Sequence, residues 1–148
     1  MAATMSIAGG ALDPAFDELD VYLETPPSGP VPPGRACQVA AHYVELINSG
    51  DYLGAAALFH DDATFLEPMR PSLKGRAEID RFYSTTIGKM NPHVIGVAYT
   101  GDDRECMVAL ANRFMMDGKA RYALASVDHF ILREDGKVDS MVAFARPR

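Results

Sequence analysis

A tyrosine, a glutamate and an aspartate are the residues of this chain whose types and settings can do chemistry together. Asp128 lies inside Ala123-Leu124-Ala125-Ser126-Val127-Asp128-His129-Phe130-Ile131-Leu132, a run that reads as a strand. Alternation along a strand puts Asp128 on one side with Leu124, Ser126, Phe130 and Leu132. An ionised carboxylate on so apolar a face is costly, and the group escapes by raising its pKa and keeping its proton. A protonated acid in a dry setting is a hydrogen-bond donor. Tyr43 falls on the inward face of a long amphipathic helix. Glu67 ends a short strand just before Pro68, where a carboxylate can point into a cavity mouth. Taken singly, each has an ordinary explanation: core filler with a satisfied hydroxyl for Tyr43, a solvated strand end for Glu67, an ion pair to an arginine such as Arg113 for Asp128. Their joint occurrence is what points to a site.

Other chemistries find less support. His42, His60, His93 and His129 stand in no spacing that sets two metal ligands on one face. There is no phosphate-cradling glycine-rich loop and no G-x-S-x-G, and neither cysteine has a base beside it in sequence. No metal or cofactor is expected. Cys37 and Cys106 form no metal or redox motif, which with so few cysteines suggests a reduced, cytoplasmic compartment. The net charge of -6 and pI near 5.1 argue against a nucleic-acid or anionic-membrane surface. No apolar run approaches the length that spans a bilayer, and the N-terminus lacks the pattern of a secretory signal. At 148 residues, 48% hydrophobic and 23% charged, the chain suits one soluble domain with a real core.

The elements that must position these residues follow from the periodicity. Residues 1–34 read as an extension: a loose start, a short helix begun at Asp13-Pro14 with Phe16, Leu19 and Leu23 at helical spacing, then a stiff proline-rich linker from Pro26 to Gly34. Residues 35–148 read as the domain. Arg35–Ser49 is a helix with Val39, Tyr43, Leu46 and Ile47 on one face, stopped by Gly50, and Asp51 caps a second helix from Tyr52 to about Phe59. His60-Asp61-Asp62 reads as a turn and Ala63–Glu67 as a strand. Gly75–Ile87 is a third helix with Ile79, Phe82, Tyr83 and Ile87 inward, closed by Gly88. From His93 the period becomes two, giving strands His93–Thr100, Glu105–Met116, Lys119–Arg133 and Lys137–Ala145. Asp117-Gly118 and Asp135-Gly136 mark the hairpins. Helices first and an antiparallel meander after them make an α+β fold, with helices laid across the concave side of a curved sheet and a conical cavity between the layers.

Several of these segments resemble a known family. Tyr43-Val44, Asn48-Ser49-Gly50-Asp51, Ala57–Thr64, Glu67-Pro68, the Ile79 and Phe82-Tyr83 set, Val127-Asp128-His129-Phe130 and Gly136–Met141 are similar to the bacterial Δ5-3-ketosteroid isomerases of the NTF2-like (SnoaL-like) superfamily. The resemblance covers Ala36 to Ala145. It implies that Tyr43 and Asp128 are the donors of an oxyanion hole, and that Glu67 is the base and proton shuttle. It implies further that Tyr83 buttresses Tyr43, and that Tyr83, Phe59, Phe82, Met141, Ala145 and Phe130 form the substrate-binding surroundings. The implied reaction moves a C=C bond from the β,γ to the α,β position of a 3-oxo-Δ5-steroid or similar hydrophobic ketone, without a cofactor, in a homodimer joined through the outer face of the sheet. Glu67 stands where the family has an aspartate, and Ala145 where it has a large aromatic. Alternatives within the superfamily are a dehydratase, a polyketide cyclase or an epoxide hydrolase, the last hinted at by Asn112-Arg113. A non-catalytic domain that binds a hydrophobic ligand is another.

Overall fold

The computed structural model describes residues 21–68 and 70–145. Strand β1 is Val21–Tyr22. Helix α1 spans Arg35–Ser49 and α2 spans Tyr52–Ala56. Strands β2 (Phe59–Leu66) and β3 (Leu73–Lys74) follow. Helix α3 (Arg76–Arg81) runs through a π-helical turn, Phe82–Ile87, into α4 (Gly88–Met90). Strands β4 (Val94–Gly101), β5 (Glu105–Met116), β6 (Lys119–Leu132) and β7 (Val138–Ala145) complete the chain.

Helix α1 buries Ala36, Cys37, Ala40, Tyr43, Val44 and Ile47, the stripe expected of a helix lying on a sheet. It stops where Gly50 takes φ 77°, with its amide closing on the carbonyls of Leu46 and Ile47. Asp51 then accepts the amide of Gly54 at 2.9 Å and starts α2. The sheet runs β3-β2-β7-β6-β5-β4, with β1 added against β6. All of its pairings are antiparallel except β2 with β7. Asp117 and Gly118 both have positive φ, 52° and 70°, as a tight hairpin between twisted strands requires. The sheet is thus mixed and curved, with the helices on its concave side, the cone anticipated from the order of elements.

Cross-strand partners share a face, so the register sorts the concave side. One row joins Cys106, Phe130 and Met141. The next joins Val108, Asp128 and Ala143, and another joins Leu110, Ser126 and Ala145. Burial grades along these rows. Cys106, Phe130 and Met141 are sealed, whereas Ser126 and Ala143 are half-buried and Ala145 is exposed. The concave side is closed at one end of the strands and open at the other.

Several expectations need correction. Leu124 does not share a side with Asp128. Ala125 is an extra residue in β6, between the pairs Leu110↔Ser126 and Ala111↔Leu124, and this bulge turns Leu124 to the convex side. There the register sets it beside Tyr122 and Ala111, which pack with Ile95, Tyr22 and Val97. The second helix ends at Ala56, and the expected turn at His60–Asp62 is part of β2, because Phe59 pairs with Val138 and an irregularity before Thr64 absorbs the polar residues. The third helix does not stop at Gly88 but at Asn91, with φ 43°. Its π-helical turn brings the sequence neighbours Phe82 and Tyr83 inward together. Val21 and Tyr22 form a strand rather than the end of a helix, and Leu23 is exposed; Phe16 and Leu19 lie outside the described residues. The proline-rich stretch lies on the sheet: Pro26 is buried and the Gly29 amide donates to the Gly96 carbonyl at 2.8 Å. A Cβ at Gly29 would meet the Val97 carbonyl, so only glycine allows that approach. Finally, Cys37 and Cys106 are bonded as a disulfide that ties α1 to β5. That runs against the expectation of a reduced compartment. The two residues are distant in sequence and adjacent only through the packing of helix on sheet.

Candidate functional site

Tyr43 and Tyr83 meet at their hydroxyls, 2.7 Å apart, inside the core. The first comes from the middle of α1 and the second from the π-helical turn. Phe130 supports the Tyr43 ring edge-on at 5.2 Å, and Phe65 stacks on the Tyr83 ring at 6.1 Å. The Tyr83 hydroxyl also lies 4.0 Å from Met141 Sδ. Burial pushes the pKa of both phenols upward, and the nearby Asp128 charge adds to this in each. Both therefore stay protonated at neutral pH, and a rotating hydroxyl lets Tyr83 donate to Tyr43 while Tyr43 donates outward.

Asp128 is 5% exposed, the one buried polar or charged residue among those described. Its lateral neighbours on the concave face are Val108 and Ala143. Burial among them raises its pKa from 3.8 to about 7. The arginine alternative fails geometrically, since Arg113 pairs with Tyr122 on the convex side. Near neutrality and below, a large share of Asp128 is the neutral acid, beside a phenol that is also neutral.

Glu67 directly follows β2. Counting from the buried Ala63 and Phe65 places it on the concave side at the open end, and its side chain is 12% exposed. Sequence reasoning missed its companion: Arg70 Nε lies 2.6 Å from Glu67 Oε1. The Arg70 guanidinium also stacks over the Phe82 ring at 4.8 Å and donates to Thr86 Oγ1 at 3.4 Å. An acid and an arginine three apart around Pro68 were the available signal. The other anticipated lining residues divide into two groups. Phe59, Tyr83, Phe130 and Met141 are sealed into the floor and Phe82 is nearly so, while Ala145 stands at the rim. Asn112 and Arg113 do not converge, because they point to opposite faces of β5. Among the described residues no group of three or more His, Cys, Asp and Glu is placed to hold a metal ion, and no helix is long and apolar enough to cross a membrane.

The SnoaL-like domain family matches residues 40–141, from just before Tyr43 to beyond Asp128. The chain belongs to the SnoaL-like family. A curated relative of this SnoaL-like protein is the steroid Δ-isomerase of Nocardioides simplex, 30% identical over 110 residues that cover 72% of this chain and 86% of the relative. Two solved structures share its fold. One is SalBIII, described as an epoxide hydrolase/cyclase-like enzyme of pyran ring formation in salinomycin, at TM-score 0.62 and 23% identity. The other is an NTF2-like protein of unknown function from Cytophaga hutchinsonii, at TM-score 0.57 and 16% identity. Each alignment covers 74% of this chain and 88% of the other. Members of the wider NTF2-like group bind small hydrophobic substrates.

Proposed function

We propose that this protein is a steroid Δ-isomerase, moving a double bond of a 3-oxo-Δ5-steroid or a similar β,γ-unsaturated ketone into conjugation. The observation that carries the reading is the buried Tyr43–Tyr83 hydroxyl pair beside Asp128, whose pKa is raised to about 7. The 30% identity to a steroid Δ-isomerase points the same way.

In this reading the substrate ketone oxygen lies against Tyr43 and Asp128. Glu67 removes the proton from the carbon between the carbonyl and the double bond. Electrons shift to the oxygen, giving a dienolate whose charge the two donors stabilise as it develops. The protonated Glu67 then returns the same proton to the far carbon of the diene, and the double bond moves next to the carbonyl. Atoms and charge balance with no cofactor. Tyr83 acts through Tyr43 by donating to its oxygen, and Arg70 holds the Glu67 carboxylate at the mouth. The homodimer would use the convex face, where Leu66, Met107 and Phe144 present exposed apolar surface.

The test is incubation with 5-androstene-3,17-dione while the conjugated-enone absorbance is followed. Turnover by the native protein and its collapse in Glu67→Gln is the expected result. No turnover, or turnover untouched by that substitution, overturns the reading.

A further inference from the structure

The concave side of β5 carries Cys106, Val108, Leu110 and Asn112, and only Asn112 is polar. It stands at the open end. The register places Val94 of β4 on one side of it and Ala123 of β6 on the other. Val94 belongs to the main core and Ala123 is buried, so the amide sits in an apolar frame. Its Oδ1 is buried and meets no hydrogen-bond donor among the described residues. A buried acceptor left unmet is destabilising, and a leucine there would avoid the penalty.

Position supplies the second observation. Val108 is the β5 neighbour of Asp128, and Asn112 lies four residues further toward the open end. The extra residues in this region belong to β6 and β4, so β5 itself runs regularly. At ~3.3 Å per residue, Asn112 is roughly 13 Å from the Asp128 row. That spacing approximates the long axis of a rigid four-ring skeleton held at one end by Tyr43 and Asp128.

We infer that Asn112 is a specificity-determining residue, its Oδ1 accepting a hydrogen bond from a hydroxyl at the far end of an elongated ligand. The substrate class this selects is a ketone with a hydroxyl donor at the opposite pole of the molecule, as in a 17-hydroxysteroid. The inference rests on the isomerase reading for the end of the ligand held by Tyr43 and Asp128.

Binding of two phenolic probes tests it: estradiol, which carries the far hydroxyl, and 17-deoxyestradiol, which lacks it. The readout is the ratio of their dissociation constants, so the greater general hydrophobicity of the deoxy probe cancels between proteins. The ratio is expected to shift by roughly tenfold toward the deoxy probe in Asn112→Leu, as loss of one net hydrogen bond implies. Retained binding of the deoxy probe shows that the variant is folded, and Asn112→Ala should give the same shift. A ratio unchanged in both variants overturns the inference and leaves the isomerase reading standing. Failure of the native protein to bind either probe overturns both.

Discussion

Replacing Asp128 with asparagine should change the pH dependence of stability. Burial raises the carboxyl from 3.8 to about 7. A group whose folded pKa is raised contributes stability fully present below the unfolded value and lost as pH rises through the folded one. The window is therefore pH 4 to 7. Across it the native protein loses about 1.4 kcal/mol per pH unit from this one group, on the order of 4 kcal/mol in total. Asparagine keeps the shape and the capacity to donate but never ionises. The stability gap between Asp128→Asn and the native protein should thus widen in favour of the variant from pH 4 to 7 and then level off. For a domain of this size the corresponding widening in Tm is roughly 10 °C or more. Thermal unfolding of both proteins at half-unit pH intervals measures it, and every other titrating group cancels in the difference. Parallel curves would mean that Asp128 ionises in the fold as readily as in the unfolded chain, and the neutral-donor reasoning would be refuted.

The remaining expectations concern turnover and the covalent brace. If neutral Asp128 donates to the developing oxyanion, kcat/KM should fall above about pH 7, and the profile of Asp128→Asn should lack that limb. Tyr43→Phe should lower kcat by ~10²–10³-fold through loss of a direct donor. Tyr83→Phe should lower it less, while costing about 1 kcal/mol of stability for the lost buried hydrogen bond, so a larger kinetic loss at Tyr83 than at Tyr43 would contradict their assigned order. The Cys37–Cys106 bond closes a loop of 69 residues, worth about 4 kcal/mol in the chain-entropy description. Cys37→Ala/Cys106→Ala should lower the denaturant midpoint accordingly, and reductant should have no further effect on that variant.

The strongly periodic parts of the chain were legible: α1, β5, β6 and β7 lie within a residue or so of where the alternation placed them, and the Asp-Gly hairpins fall where expected. Asp128 on a sealed face and Tyr43 on an inward helix face were readable for the same reason, since each sits in a long element whose period fixes its direction. The failures share a physical cause as well. The polar His60–Asp62 looks like a turn locally, but it lies inside β2 between Phe59 and Thr64, which both pair in parallel with β7. The bulge at Ala125 and the π-helical turn each insert one residue into a regular count, and periodicity cannot foresee an insertion. The disulfide and the Glu67–Arg70 pair depend on where loops and layers come to rest. The unmet Oδ1 of Asn112 depends on its surroundings in the fold and leaves no trace in the sequence pattern.

The disulfide divides the candidate site into a cross-linked part and a part outside the cross-link. Cys37 is less than two turns before Tyr43 on α1, and Cys106 is two residues before Val108, the neighbour of Asp128. The phenol and the neutral acid therefore ride on a single cross-linked frame of helix and sheet. Glu67 is outside that frame, on the segment beyond β2, with Arg70 Nε 2.6 Å from its Oε1. A proton that must be carried between two carbons calls for an arm that swings, while an oxygen that must be gripped throughout calls for donors that do not. On the proposed isomerase reading, Glu67, one methylene longer than the aspartate of the family the chain resembles, would carry the proton from outside the cross-linked strands that hold Asp128.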